Sequence, residues 1–476
     1  MNSNNHTSSL LSESAGHAED SERFSRREFA PRAATALAGI MLLPRHVLGG
    51  RGYTPPSDKL NIAGVGVGGM GGNYLKNLES ENIVALCDVD SVKAAKIFQR
   101  YPQARTYRDF REMLEKEKGI DAVVIGTPDH THAAVAMAAF QLRKPVYCAK
   151  PMTRTIYEAR KLVAAAREAK VATQMSVQSC ASEDACATAE WVRAGAVGEV
   201  REVEVWSDRP LWPQGLTRPS ETPPVPSTFD WDLWLGPSPE RPYHPEYHPM
   251  RWRGWHDFGT GSLGDMGCHT FHVIWQSLRL EPPTRVQACW NLTKLPAYGN
   301  DADPDWTLSK TAKFPETFPM SSVVTWDFPA RHKLPPVRLR WYDGGLQPPQ
   351  PEGWPHAKEF PASGILFYGN KGVLFSEFSG GPMIVTRDRK KGFTPPRKTL
   401  PRSVGHYQEF INAAKGGQPP SCNFDFGGVL TEIVLLGTIA QRLGKVLEWD
   451  AANGRFTNSE AANDLIQPAY RNGWSI

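Results

Sequence analysis

A glycine-rich turn restricts what this chain can fold into more than any other feature of its sequence. Gly66, Gly68 and Gly71 stand in the spacing G-x-G-x-x-G, after the apolar run 60–66 and at the start of a helical pattern. Glycines in such a turn let the backbone approach a pyrophosphate, and the helix N-terminus beyond them favours negative charge. Asp88 ends the next predicted strand, where a carboxylate binds ribose hydroxyls. The turn predicts a dinucleotide-binding unit, with a glycine turn that holds no ligand as the alternative.

Asp88 also bears on the choice between the two nicotinamide dinucleotides. A carboxylate at this position binds the ribose 2′-hydroxyl of NAD and repels the 2′-phosphate of NADP. No arginine follows Asp88 in the run 87–93. We therefore expect the cofactor to be NAD rather than NADP.

Strand-like and helical patterns alternate from residue 58 to residue 178. The predicted strands are 60–66, 83–87, 122–126, 145–148 and 172–177, and the predicted helices are 71–79, 92–100, 107–116, 133–141 and 157–169. Nearly continuous apolar strands separated by helices indicate a parallel sheet covered on both faces. We therefore predict a Rossmann domain, a doubly wound parallel sheet, over residues 58–178.

The pattern changes after about residue 200. Several strand-like runs follow, together with a helix at 263–278 and two late helices near 405–414 and 426–443. They predict an α+β domain over residues 179–450, with a large, mainly antiparallel sheet, for substrate binding and oligomerisation. A loose C-terminal tail is expected over 451–476. The predicted fold class is α/β, with the Rossmann domain first and the α+β domain second.

The first 50 residues are predicted to be a disordered start followed by an export signal. Arg26 and Arg27 precede the mild apolar run 33–43, which is too short for a typical membrane span. Paired arginines before such a run are typical of a twin-arginine signal, with a basic amphipathic helix as the alternative. We expect the twin-arginine machinery to export the folded protein to the periplasm or another extracytoplasmic space, with a membrane tether if the signal stays uncleaved.

Composition argues against two other classes of protein. The formal net charge of +4 is small for 476 residues, so no basic field predicts nucleic-acid binding. The seven cysteines include no C-x-x-C pair, which argues against a disulfide framework and against a structural zinc site.

Three further motifs accompany the glycine turn. They are GTPDHTH at 126–132, CAKPMT at 148–153 and GDMGCH at 264–269. In this order and spacing, the set resembles the glucose-fructose oxidoreductase, inositol dehydrogenase and rhizopine catabolism family, called Gfo/Idh/MocA. The chain also has the predicted twin-arginine signal and a Trp-rich segment at 209–256. With these two features it resembles an exported bacterial branch of that family. The resemblance implies NAD-dependent chemistry on a carbohydrate and assembly as a homodimer or homotetramer.

The resemblance gives a role to the lysine of CAKPMT. The family pattern there is Glu-Lys-Pro, whose lysine contacts the nicotinamide ribose and the substrate. Lys150 and Pro151 match it, whereas Ala149 replaces the glutamate. We expect Lys150 to be both catalytic and cofactor-binding, with a lysine that only ends a strand as the alternative. Further cofactor contacts are expected from Pro151 and, in GTPDHTH, from Thr127, Pro128 and His132.

Asp265 and His269 are four residues apart, so on a helix they share one face, which His272 continues. The family places its catalytic Asp and His at this spacing. An imidazole suits the removal of a hydroxyl proton near neutral pH, and the carboxylate would orient the ring or bind a neighbouring hydroxyl. Two alternatives are a water-facing polar stripe and a metal site that draws on further histidines, namely His244, His248 and His256. No metal is expected.

The segment 209–256 is rich in tryptophan and proline. Aromatic faces pack on sugar rings and arginines donate to hydroxyls, whereas most tryptophans serve as core anchors. The candidate substrate residues are Arg209, Trp212, Arg253, Trp255 and His272.

Three functions are compatible with these residues. The first is an NAD-dependent oxidoreductase that transfers hydride between tightly held NAD and a sugar, glycoside or polyol hydroxyl. The second is a glycosidase that recycles NAD through oxidation, elimination, hydration and re-reduction. The third is a non-catalytic sugar-binding protein on the same fold.

Overall fold

The computed structural model of the protein describes residues 58–291, 316–355, 357–377, 380–385, 393–467 and 469–476. The predicted export signal, with Arg26 and Arg27, lies outside these residues. The described chain builds two sheets, one from its first part and one from its second.

The first sheet has six parallel strands. They are β1 (Asn61–Val65), β2 (Asn82–Cys87), β3 (Arg105–Tyr107), β4 (Ala122–Ile125), β5 (Val146–Cys148) and β6 (Thr173–Met175). The helices between them are α1 (Met70–Lys76), α2 (Ser91–Arg100), α3 (Phe110–Lys116), α4 (Asp129–Gln141) and α5 (Ile156–Ala169). The strand order β3-β2-β1-β4-β5-β6 and the parallel pairing confirm the predicted Rossmann sheet.

The edge strand β3 differs from the sequence prediction, which placed a helix over 107–116. Its three residues are polar or aromatic and partly exposed, so they lack the apolar run of a buried strand. The helix begins three residues later than predicted because the Asp109 carboxylate caps it, accepting a hydrogen bond from the Arg111 amide at 2.8 Å. Tyr107 therefore belongs to the strand, and the turn after it lies at the carboxyl edge of the sheet.

The second sheet has nine strands. They are β7 (Val200–Trp206), β8 (Arg285–Trp290), β9 (Ser322–Phe328), β10 (Val337–Tyr342), β11 (Gly364–Gly369), β12 (Gly372–Ser376), β13 (Met383–Val385), β14 (Leu447–Asp450) and β15 (Arg455–Phe456). Their order is β13-β12-β11-β7-β10-β9-β8-β14-β15. Neighbouring strands pair antiparallel except for β7 and β10, which are parallel. The predicted, mainly antiparallel sheet is confirmed.

Six α-helices accompany the second sheet in the described residues. They are α6 (Glu183–Arg193), α7 (Trp231–Leu235), α8 (Gly261–Leu278), α9 (His406–Ala414), α10 (Phe424–Leu443) and α11 (Glu460–Asn463). Helix α8 packs between α6 and α10. Helix α10 is long and apolar enough to cross a membrane by length and composition, but most of it is buried inside the protein, as in a core helix.

Helix α9 packs back onto the parallel sheet. Phe410 and Ile411 of α9 share a buried apolar cluster with Leu60, Ile62 and Tyr147 of the Rossmann part. The C-terminal half of the chain therefore completes the core beneath the first sheet.

Candidate active site

One cavity of about 790 Å³ runs along the carboxyl edge of the parallel sheet. Its wall includes the residues that follow β1, β2, β4 and β5, among them Gly66, Asp88, Thr127 and Lys150. In an open parallel sheet this edge is where ligands bind. The opposite wall is formed by α8 and by the segment before it.

The glycine turn fits a dinucleotide phosphate. Gly66 has φ +74°, and a Cβ there would lie 2.6 Å from the Thr127 backbone nitrogen, so only glycine is accommodated. Gly66 and Gly68 line the cavity. Gly71 stands behind the wall, where a Cβ would lie 2.2 Å from the Gly66 carbonyl oxygen. This position of the fingerprint serves close helix–strand packing, and the predicted cofactor contact of Gly71 stays a prediction.

Asp88 closes the turn from the end of β2. One carboxylate oxygen accepts from the Gly68 amide at 2.7 Å, and the other accepts from the Asp90 amide at 2.9 Å. Burial raises the pKa of Asp88 to about 6. The carboxylate lies on the cavity wall beside the phosphate turn, where a ribose hydroxyl would reach it.

The two loops after β4 and β5 are joined by a buried imidazole. The ring nitrogens of His132 lie 2.9 Å from the Thr127 carbonyl oxygen and 3.0 Å from the Pro151 carbonyl oxygen. Thr127 and Pro128 line the cavity, whereas His132 and Pro151 lie behind its wall. The predicted cofactor contacts of His132 and Pro151 stay predictions; in the structure these two residues join the loops that line the cavity.

Lys150 meets α8 across the cavity. Its Nζ donates to Asp265 Oδ1 at 2.6 Å and also to the Asp265 carbonyl oxygen. The Nε atoms of Arg253 and Arg209 lie 3.4 Å and 3.7 Å from the same carboxylate. Burial raises the pKa of Asp265, but the charges of Lys150 and Arg253 outweigh burial and bring it to about 2. The carboxylate is therefore ionised, and it orients the lysine.

His269 lies one turn beyond Asp265 on the same cavity wall. Burial, together with the charge of Lys150, holds the pKa of His269 well below its usual 6.5. The ring is therefore neutral and able to accept a proton at ordinary pH. A lysine donor, a carboxylate that holds it and a neutral imidazole thus surround one space beside the phosphate turn.

Comparison with known proteins agrees with this geometry. A family profile described as "Oxidoreductase family, NAD-binding Rossmann fold" matches residues 60–177. The companion profile, "Oxidoreductase family, C-terminal alpha/beta domain", matches residues 207–282 and 367–476. The chain belongs to the Gfo/Idh/MocA oxidoreductase family. Its cofactor is NAD.

Two curated relatives show the range of activities among similar proteins. An inositol 2-dehydrogenase of Rubrobacter xylanophilus is 32% identical over 147 residues, which is 30% of this chain and 42% of that protein. A glycosyl hydrolase family 109 protein of Stenotrophomonas maltophilia is 29% identical over 245 residues, which is 48% of this chain and 50% of that protein. The chain thus matches half or less of the length of these relatives.

Solved structures show the same fold. The WlbA dehydrogenase from Bordetella pertussis, in complex with NADH and UDP-GlcNAcA, superposes with a TM-score of 0.54 at 18% identity, covering 82% of this chain and 99% of that one. GenD2 from gentamicin A biosynthesis, in complex with NAD, gives a TM-score of 0.54 at 18% identity, covering 86% and 100%.

Three of the five predicted substrate residues of this Gfo/Idh/MocA chain line the cavity. They are Arg209, Trp212 and Arg253. The guanidinium carbon of Arg253 lies 4.2 Å from the ring centroid of Trp252 and 5.6 Å from that of Trp212. The arginine thereby lies over an aromatic wall next to Asp265.

The structure does not bring the other two predicted substrate residues, Trp255 and His272, to the cavity. Trp255 is 1% exposed, and its indole donates to the Glu246 carbonyl at 3.0 Å. It therefore holds two parts of the Trp-rich segment together. His272 is also 1% exposed, because α8 runs into the interior after His269. Neither lies on the cavity wall.

The alternative metal site does not assemble. Within the part of the chain that the structure describes, no group of three or more His, Cys, Asp or Glu side chains could hold a metal ion. His248 Nε2 instead lies 2.9 Å from Asp90 Oδ2.

Sequence reasoning missed Asp129, the acidic residue inside GTPDHTH. Its carboxylate lines the cavity and accepts from the Thr260 hydroxyl at 2.6 Å, joining α4 to the start of α8. Burial raises the pKa of Asp129. The motif GTPDHTH could have revealed Asp129, because an acidic residue soon after the fourth strand lies at the same edge of the sheet as Lys150.

Proposed function

We propose that the protein transfers hydride between NAD and a carbinol carbon of a sugar, glycoside or polyol. The observation that carries the proposal is the meeting of Lys150, from the Rossmann part, with Asp265 and His269 of α8 in one cavity. When it is bound, NAD would accept or donate the hydride. The chain supplies the position of the substrate and the path of its proton.

The lysine is placed to hold the reacting oxygen. An ammonium group has three donors, and Asp265 takes two of those on Lys150, through its side chain and its carbonyl. The third can donate to the substrate oxygen, whose negative charge grows as the carbinol is oxidised. Asp265 is therefore a positioning residue for Lys150.

His269 is the proposed base. As the C–H and O–H bonds of the carbinol break and the C=O bond forms, the hydride leaves to NAD and the proton passes to the neutral ring of His269. Arg209 and Arg253 stand on the same wall and can donate to neighbouring hydroxyls.

The depressed pKa of His269 gives a testable pH dependence. A base must be deprotonated to act, and a lowered pKa keeps His269 deprotonated to lower pH. The acid limb of the kcat/KM profile should therefore lie below pH 6.5, and activity should be flat from there to neutrality. Initial rates across pH 4–8 with a turned-over sugar measure this, and a limb centred at or above pH 6.5 would contradict the assignment.

An NAD-recycling glycosidase is the second candidate. The glycosyl hydrolase family 109 relative supports it, since its match to this chain extends further than that of the inositol dehydrogenase. The same base and lysine would serve, because oxidation at C3 acidifies the C2–H bond. Loss of the C2 proton expels the C1 substituent, water then adds at C1, and the C3 ketone is reduced again by the cofactor.

A single experiment separates these functions. Purified protein is mixed with a panel of sugars, polyols and aryl glycosides while reduced nicotinamide absorbance and aglycone release are followed. A lasting rise in absorbance supports net oxidation, and aglycone release without a lasting rise supports the glycosidase. Sugars that bind without either signal would contradict both and support the non-catalytic alternative.

We also propose export by the twin-arginine route, supported by Arg26 and Arg27 ahead of the apolar run 33–43. Replacing both arginines with lysine keeps the charge and removes the recognised pair. Cell fractionation should then find the variant retained in the cytoplasm, and a variant still exported would contradict the proposal.

A further inference from the structure

The order of strands gives the cavity a direction. Lys150 follows β5 on one side of the glycine turn, whereas Asp88 follows β2 on the other. With the pyrophosphate at the turn and a ribose at Asp88, the nicotinamide lies toward Lys150 and the adenosine toward β2 and β3. Residues 108–110, which follow β3, form the wall at that adenosine end.

Trp474, from the C-terminal segment, forms part of the wall that also contains Phe110. The indole lies 6.2 Å from the Phe110 ring, centroid to centroid, with the planes inclined at 43°. The guanidinium carbon of Arg111 lies 4.8 Å from the indole centroid. A large aromatic ring far along the sequence thus reaches the adenosine end of the cavity.

The segment that carries Trp474 is anchored to the protein. Arg471 donates from its backbone amide to the Pro237 carbonyl at 3.1 Å and from Nε to the Gly236 carbonyl at 3.0 Å. Its Nη2 donates to the Asp232 carbonyl at 2.8 Å, and the Trp474 amide donates to the Arg471 carbonyl at 3.1 Å.

The anchor lies next to the cavity. Arg471 holds the short helix α7, whose Leu233 and Trp234 line the same cavity. Helix α7 and the C-terminal segment therefore form one structure at the adenosine end, fastened to each other by the hydrogen bonds of Arg471.

We propose that Trp474 is a cofactor-binding residue that covers the adenine of NAD and slows release of the dinucleotide. An indole presents a flat face to a base, and such stacking changes affinity by about 5- to 100-fold when the aromatic ring is removed. This role concerns binding and does not require turnover, so its test is independent of the proposed reaction.

The test compares Trp474→Ala with Trp474→Phe and with Asn472→Ala, which alters an exposed residue of the same segment. Calorimetry measures the binding of NAD, ADP-ribose and nicotinamide mononucleotide. Trp474→Ala should weaken NAD and ADP-ribose by the same factor, about 5- to 100-fold, and leave the mononucleotide unchanged. Trp474→Phe should lose less, and Asn472→Ala should behave as the parent.

A variant of the anchor protects the test against misfolding. Arg471→Ala keeps the indole but removes the side-chain hydrogen bonds that anchor the segment, so NAD should dissociate faster in a stopped-flow chase while the melting temperature stays near that of the parent. Unchanged ADP-ribose binding in Trp474→Ala would overturn the proposal. Equal losses for ADP-ribose and the mononucleotide would also overturn it, because they would indicate a general loss of the site.

Discussion

Replacing Lys150 with alanine should leave NAD bound and slow hydride transfer by about 10²–10⁴-fold, the usual contribution of a positioned proton-transfer or donor group. His269→Ala should show a loss of similar size. Because both residues act on one carbinol, the double variant should be scarcely slower than the worse single variant. Bound NAD and single-turnover reduction of the cofactor, measured with a sugar that the parent oxidises, give both quantities.

Two control variants show whether a loss of turnover in Lys150→Ala is specific to the catalytic step. Lys144→Ala removes a lysine before the other end of β5, away from the cavity, and should turn over normally. Asp265→Asn combined with Lys150→Ala should recover part of the stability lost in Lys150→Ala but not the activity, because the lysine deletion removes the nearest counter-charge of a partly buried carboxylate. Near-normal turnover in Lys150→Ala would leave the lysine as a strand-end residue, and loss of NAD along with turnover would assign it to cofactor retention.

Gly66→Ala should abolish measurable NAD binding and lower the free energy of unfolding by more than ~1 kcal/mol. The glycine adopts a left-handed φ of +74°, and an added Cβ would meet the Thr127 backbone 2.6 Å away. Backbone cannot yield as a flexible side chain can, so the turn must open. Calorimetric titration with NAD and urea denaturation measure the two effects.

Gly119→Ala is the matched control for the turn. This glycine lies in the same half of the chain, outside the left-handed region, and nothing stands within 4 Å of an added Cβ. Its NAD affinity should equal that of the parent. If Gly66→Ala bound NAD as well as Gly119→Ala does, the turn would not be the phosphate cradle.

The sequence predicted the parallel sheet well because strands covered on both faces must be apolar throughout, as in β4. It failed at β3, where an edge strand needs no such run. It also overlooked α6, whose start is marked by the cap Ser182, which accepts from the Ala185 amide at 3.1 Å, and by two acidic residues in the first turn. A strand or helix that buries only a small apolar face leaves a weak hydrophobic pattern in the sequence.

The candidate site was predictable where a motif combined residue type with a fixed place at the sheet edge. Lys150, Asp265 and His269 were found in this way through the family resemblance, and they meet in the cavity. Trp255 and His272 lie off the cavity wall, because residue type does not reveal which side of a loop or helix turns inward. Trp474 carried no motif at all, and only the fold brings it to the cavity.

The packing of α9 on the parallel sheet affects where this protein can be joined to a relative in a chimaera. A chimaera joined only between residues 178 and 200 would transplant the sheet without Phe410 and Ile411, which pack on Leu60 and Tyr147. Each large apolar side chain left in water forfeits about 1.5–3 kcal/mol, a sizeable part of the roughly 5–15 kcal/mol that holds a domain folded. A crossover that carries α9 with the nucleotide-binding half keeps this packing, so the group of residues that packs together is discontinuous along the gene.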